Sequence, residues 1–250
     1  MTSEPPRNFV LGNLVVVLAA LGLSQVVVWW FASDRGWGSL TLVGGVIAAY
    51  SLDRFLDAPS TRRRRILARF GPPLAIGAAL VLTGLWLVPA HLPLAAVLAL
   101  LAGPYVPLKR VLPKSVLTAS GWTLAVVWLP GTPIPSLRAG LPVAACIFLI
   151  VGANAILCDA LDVDEDRQRG IRGLGPWLGA ARASRIASVL AISGAVLSFT
   201  LGPWPLAAAA APLALAGLSL TPPHQREWRR TLFDLALVIP GVVAAFLPPR

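Results

Sequence analysis

The sequence predicts an all-α, polytopic membrane protein: a bundle of nine transmembrane helices. Three observations lead there. The chain has 250 residues, 56% of them hydrophobic and only 13% charged, with a mean hydropathy of +0.75. An ordinary soluble domain has about 45–50% apolar and 25% charged residues, so too little polar surface exists here to cover a water-soluble globule. Disorder is excluded as well, because its signature is low hydrophobicity with high charge. Second, apolar runs recur along the chain at close to the ~20 residues that a helix needs to cross a bilayer. Third, the basic residues alternate from one connection to the next. The only cysteines, Cys146 and Cys158, lie inside or at the end of an apolar run, which excludes a disulfide scaffold.

In chain order the runs are Val10–Phe31, Ser39–Leu56, Pro72–Val88, Leu92–Leu108, Leu117–Leu129, Leu141–Leu161, Arg185–Leu201, Leu206–Leu220 and Leu232–Leu247. Helix is the form they must take. Backbone groups in hydrocarbon have to be satisfied within the segment or in a closed barrel, and these runs lack the period-2 alternation of barrel strands. The first run exceeds the 7–15 apolar residues of a signal-peptide core and has only Arg7 before it, so it reads as a retained helix. Pro89, Pro93, Pro130 and Pro142 punctuate the ends of runs, and Trp29, Trp30, Trp37, Trp128 and Trp204 sit where an interfacial aromatic belt belongs. The nine helices form a single domain, residues 1–250.

Charge sets the orientation. If the N-terminus is cytoplasmic, one side receives Arg7, the arginines from Arg54 to Arg69, Lys109, Arg110 and Lys114, those from Arg167 to Arg185, and Arg226, Arg229 and Arg230. The other side keeps only Arg35, Arg138 and Arg250 of the 21 basic residues. By the positive-inside rule the N-terminus is therefore cytoplasmic and the C-terminus outside. The net charge of +10 is then a topological signal, with attraction to anionic lipid headgroups, and requires no nucleic-acid partner.

Seven of the eleven acids fall in two clusters: Asp53 and Asp57, then Asp159, Asp162, Asp164, Glu165 and Asp166. They end the second and sixth runs, so both emerge on the cytoplasmic side. The same offset separates Asp53 from Asp162 and Asp57 from Asp166, a hint of internal duplication. A spacing of four puts two side chains on one helix face, one turn apart. Asp159, Asp162 and Asp166 follow i, i+3, i+7 and share a face, whereas Asp164 and Glu165 point toward water. Like charges one turn apart need a countercharge, either arginine or a divalent cation. Mg²⁺ takes oxygen ligands, typically one or two carboxylates together with substrate phosphates. Two acid pairs facing each other across a bundle could hold two such ions with a diphosphate between them.

These motifs resemble the UbiA superfamily of intramembrane prenyltransferases. The family's first motif is Asn-x-x-x-Asp-x-x-x-Asp; here it reads Ala49-x-x-x-Asp53-x-x-x-Asp57, with Tyr50 beside the missing asparagine. The second motif reads Asp162-x-x-x-Asp166-Arg167-x-x-Gly170-Ile171-Arg172, then Leu178-Gly179, with Cys158 where asparagine is frequent and Asn154 one turn earlier. Tyr105-Val106-Pro107-Leu108-Lys109-Arg110 resembles the family's Tyr-x-x-x-Lys-Arg. The resemblance implies Mg²⁺-dependent transfer of a prenyl group from a prenyl diphosphate to a hydrophobic acceptor, aromatic or lipid, in the membrane. Asp53, Asp57, Asp162 and Asp166 would be catalytic through the metal, with Asp159 as a further ligand. Lys109, Arg110 and Arg172 would contact phosphate, because guanidinium binds it bidentately and lysine supplies a point charge. Tyr50 and Asn154 would offer supporting polar groups. Two alternatives remain open: a membrane terpene cyclase using the same metal site, and a non-catalytic lipid-binding or transporter-like relic. Transporter sites usually lie near the midplane, where this sequence clusters no acids.

Overall fold

A computed structural model of the chain describes residues 9–56, 63–102, 105–132, 135–218 and 226–248. They are almost entirely helical. The helices are α1 (Phe9–Trp30), α2 (Gly38–Leu56), α3 (Arg63–Leu87), α4 (Leu92–Ala102), α5 (Tyr105–Leu108), α6 (Lys114–Trp128), α7 (Leu137–Leu161), α8 (Val163–Gln168), α9 (Leu174–Leu178), α10 (Ala180–Leu201), α11 (Ala210–Leu218), α12 (Arg226–Ala236) and α13 (Ile239–Ala245). Helix overlies every one of the nine apolar runs. Among the described residues, three segments are long and apolar enough to cross a membrane: Phe70–Leu87, Leu137–Leu161 and Ala180–Leu201. Leu14–Trp30, Gly38–Asp53, Pro89–Leu100 and Trp204–Leu218 are shorter apolar stretches.

Several runs differ from the unbroken helices expected of them. The fourth is shared by α4 and α5, and the eighth opens as a 3₁₀ turn over Trp204–Ala209 before α11. The ninth is shared by α12 and α13, which breaks where the ring of Pro240 would collide with the carbonyl of Ala236. Pro142 does not end its run: it lies inside α7, and Pro72 and Pro73 lie inside α3.

Helices α1 and α7 form the centre. Leu23, Val26 and Val27 of α1 pack in one cluster with Ile147, Ile150 and Leu157 of α7, Val126 of α6 and Leu206, Leu213 and Leu237 from the last third of the chain, all essentially inaccessible. Around this centre the outward faces are apolar too: Leu82, Trp86, Leu100, Phe199 and Phe246 are among the most exposed side chains. Monomeric soluble proteins rarely expose large apolar patches, and an apolar outer face of this kind is compatible with a membrane environment. Small residues let the helices approach closely, as is common where helices associate in lipid. At the α2–α3 crossing, a Cβ on Gly44 would lie 2.6 Å from the Gly77 carbonyl oxygen, and one on Gly77 would lie 2.7 Å from that of Gly44.

The connections sort to two ends. At one end, Asp34–Arg35 and Gly131–Thr132 form a two-residue antiparallel ladder, and Gly38 lies against His91 and the Leu129 carbonyl. At that same end Trp29 stacks edge-on against Trp204, their centroids 6.3 Å apart, and donates through Nε1 to the Pro248 carbonyl at 2.9 Å. The end of α2, the α5–α6 connection, the α7–α9 segment and the start of α12 meet at the other end, where all the described acids of the two clusters lie.

Candidate functional site

The second acid cluster is assembled at the end of α7. The helix stops at Asp162, whose backbone (φ −99°, ψ 10°) leaves helical geometry, and α8 restarts at Val163. The single continuous helix face expected for Asp159, Asp162 and Asp166 is thus interrupted, yet the three carboxylates still converge, and their focus is Lys114 at the first turn of α6. Its Nζ lies 3.7 Å from Asp159 Oδ1, 3.9 Å from Asp162 Oδ2 and 3.4 Å from Asp166 Oδ2. Arg230 of α12 reaches the same Asp162 oxygen through Nη2. Asp159 and Asp166 are buried, and Oδ2 of Asp159 has no hydrogen-bond partner.

Backbone bonds hold these elements in register. The Arg172 amide donates to the Lys109 carbonyl and the Lys114 amide to the Arg172 carbonyl, both at 2.8 Å, tying the α5–α6 connection to the segment after α8. The Ile171 amide donates to the Asp166 carbonyl at 2.9 Å. The glycine-rich stretch that follows must be bare to close over α7: a Cβ on Gly175 would lie 2.3 Å from the Asp159 carbonyl oxygen, and one on Gly173 would lie 3.0 Å from Asp159 Oδ2.

The first cluster reaches the same connection through a different lysine. Lys109 is buried at 3% exposure and its Nζ donates to Asp53 Oδ1 at 3.2 Å, while the ammonium also lies 5.4 Å from the centroid of the Tyr105 ring. Asp57 lies outside the described residues. Five residues apart on one connection, Lys109 and Lys114 therefore serve one acid cluster each.

The electrostatics follow from this packing. Burial disfavours charge on Lys114, but Asp159, Asp166 and Asp162 outweigh it and hold the lysine above its ordinary pKa. Burial pushes the Asp166 carboxyl up, only partly offset by Lys114.

The remaining expected residues occupy varied positions. Asn154 donates through Nδ2 to Asp234 Oδ1 at 3.1 Å and accepts from Cys158, so it supports α12. Tyr50 is half-buried on α2, three residues before Asp53, and Arg110 is exposed. Arg172 is exposed as well; its guanidinium donates to the Val111 carbonyl at 3.3 Å. Asp164 is exposed and Glu165 pairs with Arg169 at 2.7 Å, as expected of acids turned to water.

No protein-family model, no curated protein and no solved structure matches this chain.

Sequence reasoning missed three participants: Lys114, Arg230 and Asp234. Lys114 counted only as a topological charge. Arg230 and Asp234 are one helical turn apart at the edge of an apolar run, and a charge pair there is itself a signal worth following. The chemistry of the acid cluster suits Mg²⁺, which prefers carboxylate oxygens, and the unpartnered Asp159 Oδ2 is one such donor. As arranged, however, the space between the carboxylates holds the Lys114 ammonium. Among the described residues, no three acid, histidine or cysteine side chains are gathered as a ready metal cage.

Proposed function

We propose that this protein is an intramembrane prenyltransferase, moving a prenyl group from a prenyl diphosphate to a lipophilic acceptor with Mg²⁺ at the acid clusters. The reading includes nine membrane crossings, a cytoplasmic N-terminus, an outside C-terminus and a site on the cytoplasmic side. One observation carries it: the two aspartate motifs, far apart in sequence, are both engaged by one short basic connection, Lys109 to Lys114, at one end of an apolar helical body. The sorting of connections to two ends supports alternating crossings, and the basic side is the end that holds the acids. The motif resemblance supports the reaction class.

In this reaction the allylic carbon–oxygen bond breaks, its electron pair leaves with the diphosphate, and the acceptor forms the new bond and loses a proton. Mg²⁺ would be held by Asp53, Asp57, Asp159, Asp162 and Asp166 and would supply charge neutralisation for the departing diphosphate. Lys109, Lys114 and Arg230 are the buried or half-buried cations near those acids, and they supply further positive charge to phosphate oxygens. The apolar body accommodates the isoprenoid chain and keeps water from the allylic cation. Arg172 acts through its backbone, holding the α5–α6 connection in place.

The test is incubation of the purified protein in detergent with Mg²⁺, prenyl diphosphates of several lengths and lipid-extract acceptors, following diphosphate release and the organic products. Release that is lost in Asp53→Ala and Asp162→Ala supports the proposal. Products cyclised without an acceptor would reassign the chain to terpene cyclisation. An absence of release with every donor overturns catalysis and favours a non-catalytic lipid-binding relic. The ion-paired state of the acids and the Ala49 departure are the observations on that side.

A further inference from the structure

We propose that Lys114 is the resident cation of the second acid cluster and is exchanged for a divalent ion when a diphosphate arrives; this rests on the reading that the cluster receives a diphosphate headgroup. The geometry is that of a central ion rather than a paired side chain. One ammonium lies within 3.4–3.9 Å of an oxygen from each of three carboxylates, and the nearest of these contacts is only a long hydrogen bond. A lysine selecting one partner would sit closer to it, near 2.8 Å.

Compensation in the cluster is incomplete. Asp159 is 1% exposed, and the oxygen it does not present to Lys114 has no hydrogen bond. A buried carboxylate oxygen left unpaired is costly, so the cluster retains coordinating capacity that the lysine does not use. Ser115, the next residue on α6, is also buried with an unbonded hydroxyl.

Lys114 can leave while its backbone stays. Its amide is fixed to the Arg172 carbonyl, but its side chain is 24% exposed, far more than those of Asp159, Asp162 or Asp166. Arg230 remains on Asp162 and keeps that carboxylate oriented.

Coupling follows from charge. Mg²⁺ coordinates oxygen at about 2.1 Å, so it needs the space that the ammonium fills, and two cations cannot share it. Expelling Lys114 deprives the ammonium of all three counterions. Phosphate oxygens arriving with the ion restore them. Divalent binding without an anion is therefore opposed by the lysine, and binding together with a diphosphate is favoured, so that without donor the metal enters the cluster only at high concentration.

Two measurements on the full chain in detergent test this, neither of which reads prenyl transfer. Mn²⁺ binding, followed by electron paramagnetic resonance with no anion present, should be about tenfold tighter in Lys114→Met than in the native protein, a coupling of ordinary size for linked sites. In the native protein, acetylation of Lys114 measured by mass spectrometry should rise severalfold at saturating Mg²⁺ and stay unchanged with K⁺ at equal ionic strength. Equal Mn²⁺ affinity in the two proteins overturns the exchange, and so does Lys114 labelling that is indifferent to Mg²⁺. The labelling arm needs no substitution and decides the matter if Lys114→Met does not fold. Exchange observed without any prenyl transfer would retain this inference and discard the transferase; transfer with no exchange would do the reverse.

Discussion

Replacing Gly175 with alanine tests how tightly the glycine-rich segment holds the acid cluster in place. A Cβ at this position would lie 2.3 Å from the Asp159 carbonyl oxygen, 2.8 Å from its carbonyl carbon and 3.0 Å from Val163 Cγ2. Real Cβ atoms essentially never come within 3.0 Å of a heavy atom beyond their own chain neighbours, so the shortfall is most of an ångström and falls on backbone. Overpacking of this kind costs about 1–3 kcal/mol, or roughly 2–12 °C in Tm for a chain of this size. Gly152 is the internal control. It lies on α7, where that helix packs on α6, and a Cβ there meets only Ala119 Cβ at 3.8 Å, an ordinary contact. Gly152→Ala should leave the packing intact and gain up to about 1 kcal/mol from helix propensity. Thermal unfolding of the two variants in one detergent reads the contrast directly. Diphosphate release should fall in Gly175→Ala by about a hundredfold, the scale of a 1 Å misplacement, and be retained in Gly152→Ala. A Gly175→Ala protein as stable and active as the parent would refute the view that α9 fixes the cluster by backbone contact.

Arg230→Ala should destabilise the protein by about 3 kcal/mol, because it strips a buried carboxylate of one partner, and Asp162→Asn added to it should recover part of that loss in a double-mutant cycle. Arg169→Ala should change stability by less than about 0.5 kcal/mol, since the pair with Glu165 is largely solvated; a larger loss in the same melt would contradict the placement of α8 at the surface. His91 is fully buried, and burial lowers its pKa below the ordinary 6.5. A base whose folded pKa is depressed contributes stability that is present above pH 6.5 and lost as pH falls through the folded value. Melting temperature should therefore drop on acidification below pH 6.5 in the native protein and stay flatter in His91→Phe.

What the sequence determined was whatever depends on short-range pattern. Hydropathy located the long helical segments, because the cost of leaving backbone polar groups unsatisfied in an apolar environment is local, but it missed α8 and α9, the short helices between the sixth and seventh runs. Spacing likewise singled out Asp53 and the Asp159–Asp166 group, because side chains three, four or seven apart share a face of an unbroken helix; the helix in fact breaks at Asp162, and the three carboxylates converge on Lys114 instead. Where prolines break a helix was only half legible: Pro240 interrupts the last run, whereas Pro142, Pro72 and Pro73 lie inside helices, and a proline's steric cost in a helix interior is about 3 kcal/mol, which the rest of the fold can outweigh.

Tertiary structure alone decided which charge meets which. Nothing in the spacing couples Lys114 to Asp166 or Arg230 to Asp162, which are 52 and 68 residues apart. Those partnerships arise because the α5–α6 connection is clamped by Arg172 and because α12 packs beside α7. Electrostatic energy depends on distance and burial rather than on sequence separation, so a lysine that looks like a topological marker in the chain becomes, once folded, the countercharge at the centre of three aspartates.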